Sequence, residues 1–446
     1  MRDATRYHAR RRVARRRART LDHGARASEP RVNRVTPRRV AASRDAMRRV
    51  ASRVRARCRS RAVEDVARRD GSTRARGWDD IVDVEGARAR ARTRLKALED
   101  ANTAANVRAM TIFDRDVVRA HRDRSAFLQE EALKSSSGRA PDGLLDELAG
   151  RLLDRLRDIK RDFRRVVVLG GACEAITRRI LLERDDVEKI VVVDLSQDML
   201  NFVMRVIGDS PTRKDGAPVE VIYVQGDEEN LPIREESVDA IVSCLGLHWV
   251  NDLPGAMSSA AAALVPDGLF LSCIFGGNTL QELRVACALA ETEHDGGVSA
   301  RVSPLAHVRD CGSLLGRANL TLPAVDVDII NVGYSSPEKL VQHLRVMGET
   351  NAGVMRRKFL PRVTAAAASA IYSNKFPAPT SGEAPTSGEA ADDGTRSRST
   401  PVEATFEVLY MTGWRAHSSQ QTAKSRGSAT VSLRDLEHLH LKSPPN

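Results

Sequence analysis

The 446-residue sequence has no long apolar run, no closely spaced cysteines and, over its first 60 residues, no lysine. Because no run of 18 apolar residues occurs, we predict no membrane-spanning segment. The six cysteines are widely spaced and form no C-x-x-C pair, so neither a disulfide framework nor a thiolate zinc site is predicted. Cys244 and Cys273 lie in apolar runs and are interpreted as small buried residues. This cysteine usage indicates a reducing compartment.

The first 60 residues are strongly basic. They contain 21 Arg and four acidic residues, a formal charge of +17, whereas the whole chain has +12. Residues 61–446 therefore carry −5 and give no reason to propose binding to nucleic acid. Arg with Ala, Val and Ser and few acids is typical of an organelle transit peptide, which could also begin at Met47. The alternative is a basic arm that binds RNA.

Composition divides the rest of the chain into a linker and one domain. We predict a transit peptide and disordered linker over 1–106, with ordered structure from near Met110 and a single domain over 107–446. Within that domain the hexapeptide APTSGE occurs twice, at 378–383 and 384–389. This repeat and the polar tract after it predict a flexible insertion at about 377–402.

Strands and helices alternate through the centre of the chain. Apolar runs predict strands at 165–169, 189–194, 219–224, 238–245 and 269–275. Helices are predicted between and after them at 174–184, 196–207, 252–264, 278–293, 303–318, 335–348 and 354–373, with further strands at 324–332 and 405–411. A leucine pattern over 144–156 predicts an amphipathic helix packed on the core. This alternation predicts an α/β fold with a mostly parallel sheet and helices on both faces.

The first three strands each end in a feature that suits a nucleotide ligand. Gly170 and Gly171 follow the first strand, where glycine lets a ligand approach the backbone and the next helix offers free N–H groups. Asp194 lies about 20 residues further on, where a ribose-binding carboxylate is expected. Asp227 and Glu228 follow the third strand, where an acid can accept a hydrogen bond from an adenine amino group. The alternatives are an ordinary turn and a solvated acidic loop. We predict an adenosyl site formed by Gly170, Gly171, Asp194, Leu195, Asp227 and Glu228.

Two further groups are candidates for binding or catalysis. His248 and Trp249 follow the fourth strand, where side chains usually face the reacting centre, and His248 is a candidate general base. The alternative is a packed Trp beside a His that caps the next helix. Glu291 and Glu293 lie in an acidic cluster that would suit a guanidinium ion, unless it is an exposed helix end. No metal site is predicted, because the pair His121 and Asp123 is only a fragment of one.

Several long segments resemble one known family. They are IFDR (112–115), LLDRLRDIKRDF (152–163), LGLHWVNDLPGAM (245–257), LVPDGLF (264–270), FGGNTLQELRVACALAETEHDGG (275–297) and YMTGWRAHSSQQTAKSRGSATVSL (410–433). The chain resembles the mitochondrial complex I assembly factors that have a methyltransferase fold and are described as protein arginine hydroxylases. The resemblance covers about three hundred residues, and the basic leader agrees with a protein of the mitochondrial matrix.

The resemblance implies a class I methyltransferase (Rossmann-like) sheet with an antiparallel last strand and a site for S-adenosylmethionine. It implies assembly of NADH:ubiquinone oxidoreductase (complex I) in the matrix, with an arginine of the iron–sulfur subunit near the quinone site as the target. By position, Gly170, Asp194 and Asp227 would hold the cofactor. Peripheral association with the inner membrane is left open. The sequence shows no motif for a metal or flavin that would supply the oxidant.

The glycine turn departs from the family pattern D-x-G-x-G-x-G. Val168 replaces the acid, and Ala172 and Glu174 replace the second and third glycines. We therefore expect weaker binding of S-adenosylmethionine. Three functions follow as hypotheses: an arginine hydroxylase for complex I assembly, an S-adenosylmethionine-dependent O- or N-methyltransferase, and a non-catalytic assembly chaperone. All enzymatic versions require that the tips of the first three strands can hold an adenosyl group.

Overall fold

The computed structural model describes residues 78, 80–100, 111–135, 142–357, 359–378, 401–421 and 426–428. Its sheet is built from the strands β1 (Arg165–Gly171), β2 (Lys189–Asp194), β3 (Glu220–Gln225), β4 (Val238–Cys244), β5 (Leu264–Phe275), β6 (Leu320–Tyr334) and β7 (Val402–Arg415). Their order across the sheet is β3-β2-β1-β4-β5-β7-β6. Neighbours from β3 to β5 pair in parallel, and β7 pairs antiparallel with both β5 and β6. The prediction of a mostly parallel sheet with an antiparallel last strand is confirmed.

Helices connect the strands and precede the sheet. The described helices are α1 (Val84–Asp100), α2 (Arg115–Ser135), α3 (Gly143–Arg157), α4 (Cys173–Glu183), α5 (Gln197–Ile207), α6 (Leu253–Ala263), α7 (Gln281–His294), α8 (Val308–Arg317), α9 (Pro337–Met347) and α10 (Arg362–Lys375), with a 3-10 helix at Leu247–Trp249. The predicted N-cap of α5 is confirmed, since the Ser196 hydroxyl accepts a hydrogen bond from the Met199 amide at 3.0 Å.

The core lies on both faces of the sheet because side chains alternate along each strand. Val166 and Val168 pack in one cluster with the leucines of α3 and with residues of α4 and α5. Val167 and Leu169 pack in a second cluster with residues of α6 and α8. The central strands β1, β2 and β4 are therefore apolar on both sides, which is why their sequences are continuous apolar runs. The prediction of helices on both faces is confirmed.

Two predicted boundaries are wrong for local reasons. The helix predicted over 354–373 begins only at Arg362, because Pro361 stands before it and residues 354–357 and 359–360 are irregular. The VPDG segment before the predicted fifth strand belongs to β5, which starts at Leu264. There Asp267 has a φ of 64° and the register against β4 shifts, so the chain passes through a bulge without ending the strand.

Ordered structure begins earlier than the predicted Met110. Trp78 and Ile81 are buried in the second core cluster, with Ile81 0% exposed. The Arg234 amide donates a hydrogen bond to the Ile81 carbonyl, and Val82 forms a bridge with Ile233. Residues 78 and 80–82, which lie within the predicted transit peptide and disordered linker over 1–106, thus pack on the domain in this structure.

The predicted insertion lies mostly outside the described residues. Of the range 377–402, the structure describes 377–378 and 401–402. Pro377 forms a bridge with Val402, and the Ala378 amide donates to the Pro401 carbonyl at 2.9 Å. The two ends are thus adjacent, between α10 and the start of β7.

The Gly170-Gly171 turn is set by close contact between strands. Both residues have positive φ values, 59° and 63°. A Cβ at Gly171 would lie 1.8 Å from the Cys244 carbonyl oxygen, and the neighbouring Ala172 amide donates to that oxygen at 2.8 Å. Because the backbones of β1 and β4 touch here, glycine is required at 171 whether or not a ligand binds.

We predict that Gly171→Ala destabilises the domain by more than about 4 kcal/mol, since the added carbon meets a backbone oxygen in a conformation that suits glycine. The matched control is Gly312→Ala in α8, where nothing lies within 4 Å of the added carbon. That change should stabilise the protein by about 0.5–1 kcal/mol. Urea unfolding followed by circular dichroism measures both, and similar effects of the two substitutions would contradict this account.

Candidate functional site

The predicted cofactor residues come together at the carboxyl ends of β1, β2 and β3. Asp194 is in register with Gln225, so Asp227 and Glu228 lie just beyond it on the neighbouring strand. A Cβ at Gly170 would lie 2.5 Å from Glu228 Oε1, which shows how closely the turn and the third tip approach. Leu195 is partly buried with Phe113 and Trp249. These tips form one site, as the sequence predicted, although the role of each residue stays a prediction.

Helix α2 covers this edge and contributes a guanidinium group to it. The Nη2 group of Arg122 donates hydrogen bonds to the Gly171 carbonyl and to Asp194 Oδ2, each at 2.5 Å. The other oxygen of Asp194 accepts from the Ser196 amide at 2.8 Å. Both groups of this ion pair are removed from solvent, with side-chain exposures of 9% for Arg122 and 1% for Asp194. The predicted ribose acceptor is thus engaged by the protein's own side chain.

A second arginine of α2 engages the tip of β3. Arg115 Nη2 donates to Asp227 Oδ1 at 2.8 Å and to Glu228 Oε2. Its Nη1 donates to the Trp249 carbonyl at 3.0 Å, which ties β3 to the tip of β4. The Nε of Arg115 is buried and has no hydrogen-bond partner. Arg115 and Arg122 are seven residues apart, two turns of helix, so they project from the same face of α2.

Burial and charge act in opposite directions on these groups. Burial opposes the charge of each guanidinium, but the adjoining carboxylates outweigh it and raise the pKa of Arg115 and Arg122. Burial raises the pKa of Glu228 to about 7, against the pull of Arg115. Burial and the nearby Asp194 raise the pKa of the Cys173 thiol well above its usual value, so Cys173 is not a nucleophile at neutral pH.

The first turn of α4 differs from a typical anion-binding helix start. Glu174 is buried there, and its carboxylate accepts a hydrogen bond from Arg178 Nε at 2.7 Å. Burial raises the pKa of Glu174, which Arg178 counteracts. No side chain caps this helix N-terminus. A cavity of about 10 Å³, room for one water, is lined here by residues of the turn, α2, α3 and α5.

His248 and Trp249 lie at the tip of β4 and share an acceptor that the sequence did not reveal. Glu349 Oε2 lies 2.7 Å from His248 Nε2 and accepts from Trp249 Nε1 at 2.9 Å. The second ring nitrogen, His248 Nδ1, is buried without a partner. The His248 ring also packs against Trp249 and Phe275, with ring centroids 5.3 and 5.4 Å apart. Glu349 therefore holds both rings in place through one oxygen.

Glu291, the first acid of the predicted cluster on α7, is buried and has partners within the protein. Glu291 is 0% exposed and accepts hydrogen bonds from the Ser299 amide and hydroxyl and from Arg301 Nε, at 2.6, 2.6 and 2.7 Å. Burial raises its pKa, but these hydrogen bonds outweigh burial and lower it. The Glu291 carboxylate binds the protein's own Arg301, and its predicted role in gripping a substrate guanidinium stays a prediction. Glu293 is exposed, and its predicted role stays a prediction.

The pair His121 and Asp123 has a structural role. Asp123 Oδ1 accepts a hydrogen bond from the Ser196 hydroxyl at 2.5 Å, which joins α2 to the start of α5. Burial and the nearby Arg124 lower the pKa of His121. Among the residues that the structure describes, no group of three or more His, Cys, Asp or Glu side chains could hold a metal ion.

The chemistry of the strand tips fits an adenosyl group, with one condition. Ribose hydroxyls and an adenine amino group need acceptors, and Asp194, Asp227 and Glu228 are acceptors at the expected places. All three are engaged by Arg115 or Arg122 in this structure. An adenosyl group can therefore bind to these acids only if Arg115 and Arg122 move away or share their acceptor oxygens with the ligand. IFDR at 112–115 was the signal for Arg115, whereas nothing in the sequence pointed to Arg122 or Glu349.

We predict that Glu228→Gln removes a pH-dependent loss of stability. In the unfolded chain Glu228 ionises near pH 4.5, and in the folded protein near pH 7. The contribution of Glu228 to the free energy of unfolding is therefore fully present below about pH 4.5. It falls by about 3 kcal/mol in all as the pH rises to about 7. Urea titrations at several pH values should show the difference between variant and wild type growing by that amount. If the free energies of unfolding of wild type and variant depend on pH in the same way, the raised pKa of the buried Glu228 carboxyl is contradicted.

Comparison with known proteins agrees with this fold. Residues 169–272, from β1 to β5, match the model of the methyltransferase domain. The mitochondrial arginine-hydroxylase NDUFAF5 of Mus musculus is 36% identical over 333 residues, which cover 75% of this chain and 86% of the relative. The protein of the same name from Dictyostelium discoideum is 33% identical over 330 residues, covering 73% and 70%.

A bacterial enzyme is also similar, at a lower level. The malonyl-[acyl-carrier protein] O-methyltransferase of Xylella fastidiosa is 29% identical over 286 residues, which cover 63% of this chain and 84% of the relative. The sheet order is that of the methyltransferase domain matched by residues 169–272, and the similarity to the mitochondrial proteins extends over most of the chain. The chain belongs to the NDUFAF5 family of mitochondrial arginine-hydroxylases, which is built on the class I methyltransferase fold.

Proposed function

We propose that this protein is a mitochondrial assembly factor for complex I that hydroxylates an arginine of the iron–sulfur subunit near the quinone site. The observation that carries the proposal is similarity to a named arginine-hydroxylase over 86% of that relative's length. The acids at the tips of β2 and β3 support it. The basic leader supports action in the matrix.

The site residues divide into two proposed roles. Asp194 would accept hydrogen bonds from the ribose hydroxyls of S-adenosylmethionine, and Asp227 and Glu228 from its adenine. The Gly170-Gly171 turn would lie against the amino-acid part. When bound, this cofactor type would supply an activated sulfonium centre, which suits methyl transfer; the oxygen added by hydroxylation would come from a separate oxidant such as O₂, with a two-electron reductant to take the second oxygen to water. The rings of His248 and Trp249, held by Glu349, would border the target side chain at the tip of β4.

A second candidate function is favoured by one observation. Arg115 and Arg122 engage all three strand-tip acids, so this edge is satisfied without a ligand. That is the arrangement expected of a non-catalytic assembly chaperone that kept the fold.

The methyltransferase alternative draws on the similarity to the bacterial O-methyltransferase and needs only positioning of the target, not an oxidant.

Peripheral binding to the inner membrane is part of the proposal. Met355 and Phe359 are 85% and 76% exposed, and Val363 follows on the first turn of α10. Arg362 is exposed in the same segment, and Arg357 is exposed there while paired with Asp295. Apolar side chains among arginines suit an anionic lipid surface. In the described part of the chain no helix is both long and apolar enough to cross a bilayer.

The first prediction concerns the client. In cells that lack this protein, the wild-type chain should restore complex I on native gels and add one oxygen to the client arginine, measured by mass spectrometry. Asp194→Asn should abolish the added oxygen, because it replaces one carboxylate oxygen, a proposed ribose acceptor, with an NH₂ donor and removes the charge that pairs with Arg122. The control Glu235→Gln changes an exposed acid by the same amount and should act as wild type.

Each other outcome identifies an alternative. A methyl group on the client in place of oxygen would reject hydroxylation and support methyl transfer. Full assembly with Asp194→Asn and an unmodified client would support the chaperone. A thermal unfolding curve of Asp194→Asn in parallel separates loss of chemistry from loss of fold.

The second prediction concerns the membrane. The double variant Met355→Ser, Phe359→Ser should reduce co-sedimentation of the full chain with vesicles of anionic phospholipid by about tenfold or more, since two apolar contacts are lost. Vesicles of neutral phosphatidylcholine serve as the control for charge. Equal binding of wild type and variant would reject this surface as the membrane contact.

A further inference from the structure

Glu349 holds the rings of His248 and Trp249 with only one of its two carboxylate oxygens. Both contacts use Oε2, which lies 2.7 Å from His248 Nε2 and accepts a hydrogen bond from Trp249 Nε1 at 2.9 Å. In the described part of the chain the other oxygen, Oε1, accepts no hydrogen bond, and it is not fully enclosed by the protein. One acceptor of this carboxylate is therefore open to a ligand.

The charge of Glu349 also lacks a permanent cation. Asp194 and Glu228 each pair with an arginine of α2. The one ion-pair partner of Glu349 among the described residues is His248, which is charged only if protonated. The Glu349 side chain is 8% exposed, and a carboxylate so far removed from water is costly unless a cation accompanies it. A bound cation would therefore complete this site.

The backbone around Glu349 fixes the position of the carboxylate. Helix α9 ends at Gly348, which has a φ of 83°, and the Glu349 amide donates a hydrogen bond to the Leu344 carbonyl at 2.8 Å. A Cβ at Gly348 would lie 3.7 Å from Arg122 Cδ, so this turn packs on the residue that binds Asp194. The turn thus connects the carboxylate, which contacts the tip of β4, to the helix that covers the tip of β2.

We propose that Glu349 binds the guanidinium group of the client arginine through Oε1. The inference rests on the proposed function, in which an arginine side chain is the target. A guanidinium N–H donates a strong, charge-assisted hydrogen bond to a carboxylate oxygen, and this flat cation suits a site bordered by the rings of His248 and Trp249. Glu349 then has two roles, because Oε2 orients the rings and Oε1 selects a positively charged target.

Two small probes that differ in charge test the proposal. N-acetyl-argininamide contains the guanidinium, whereas N-acetyl-citrullinamide has an uncharged ureido group of nearly the same shape. Each is titrated into the full chain with isotope-labelled tryptophan, and NMR follows the indole N–H signal of Trp249, which Trp249→Phe identifies among the three Trp signals. We expect the arginine probe to shift this signal saturably, because this N–H binds Glu349, and the citrulline probe to bind about tenfold or more weakly.

The variant Glu349→Gln separates the roles of the two oxygens. Its side-chain carbonyl can accept from Trp249 and His248 as Oε2 does, while its NH₂ group replaces Oε1 with a donor. The variant should weaken the arginine probe about tenfold or more and leave the citrulline probe within about twofold. The matched control Glu235→Gln removes the same charge from an exposed position and should change neither probe. If Glu349→Gln does not fold, judged by thermal unfolding, the ratio of the two probes in the wild-type chain decides.

Three results would overturn the proposal. Equal binding of the two probes to the wild-type chain would show that charge is not selected, and no shift with either would show that no guanidinium binds here. An arginine preference that persists in Glu349→Gln would place the cation at another acid.

The proposed function fails or stands separately. If the probe binds at Glu349 and the client is methylated or unmodified, the inference stands and hydroxylation is rejected. If the client gains an oxygen and the probe does not bind, only the inference is rejected.

Discussion

The ion pairs between α2 and the strand tips are the interaction on which the site depends. Removing a carboxylate and a guanidinium from water costs several kcal/mol for each ion, and only close pairing offsets that cost. Arg122 with Asp194 and Arg115 with Asp227 and Glu228 meet this condition. They hold α2 across β2, β3 and β4, and they decide how the edge is presented to any ligand. Function at this edge therefore requires rearranging or sharing these pairs.

The close contact between β1 and β4 fixes the conformation of the glycine turn at the same edge. The Cys244 carbonyl accepts from the Ala172 amide and leaves no room for a Cβ at Gly171. Glycine at this turn is thus explained by packing alone. Around this turn lie the uncapped start of α4 and the paired Glu174. A damaged glycine pattern does not by itself show that the site is lost.

Guanidinium–carboxylate pairing recurs away from the strand tips, and there it is structural. Glu291 with Arg301 and Asp295 with Arg357 join the end of α7 to the segments that follow. Two acids of the predicted cluster on α7 therefore have internal guanidinium partners. Glu349 is similar, because one oxygen holds both His248 and Trp249. In an arginine-rich chain, acids at a predicted site need a test for internal partners before a substrate is assigned to them.

The sequence by itself determined the sheet and the placement of the predicted cofactor residues at one edge of it. Continuous apolar runs specify strands buried on both faces, and parallel strands bring Gly170, Asp194 and Asp227 to one edge wherever they occur in the chain. Only the tertiary structure decided which groups those residues contact. Arg122 lies 72 positions before Asp194, and Glu349 lies 101 after His248. No local pattern records such pairs, because arginine and glutamate on a helix or loop read as solvated surface until packing buries them.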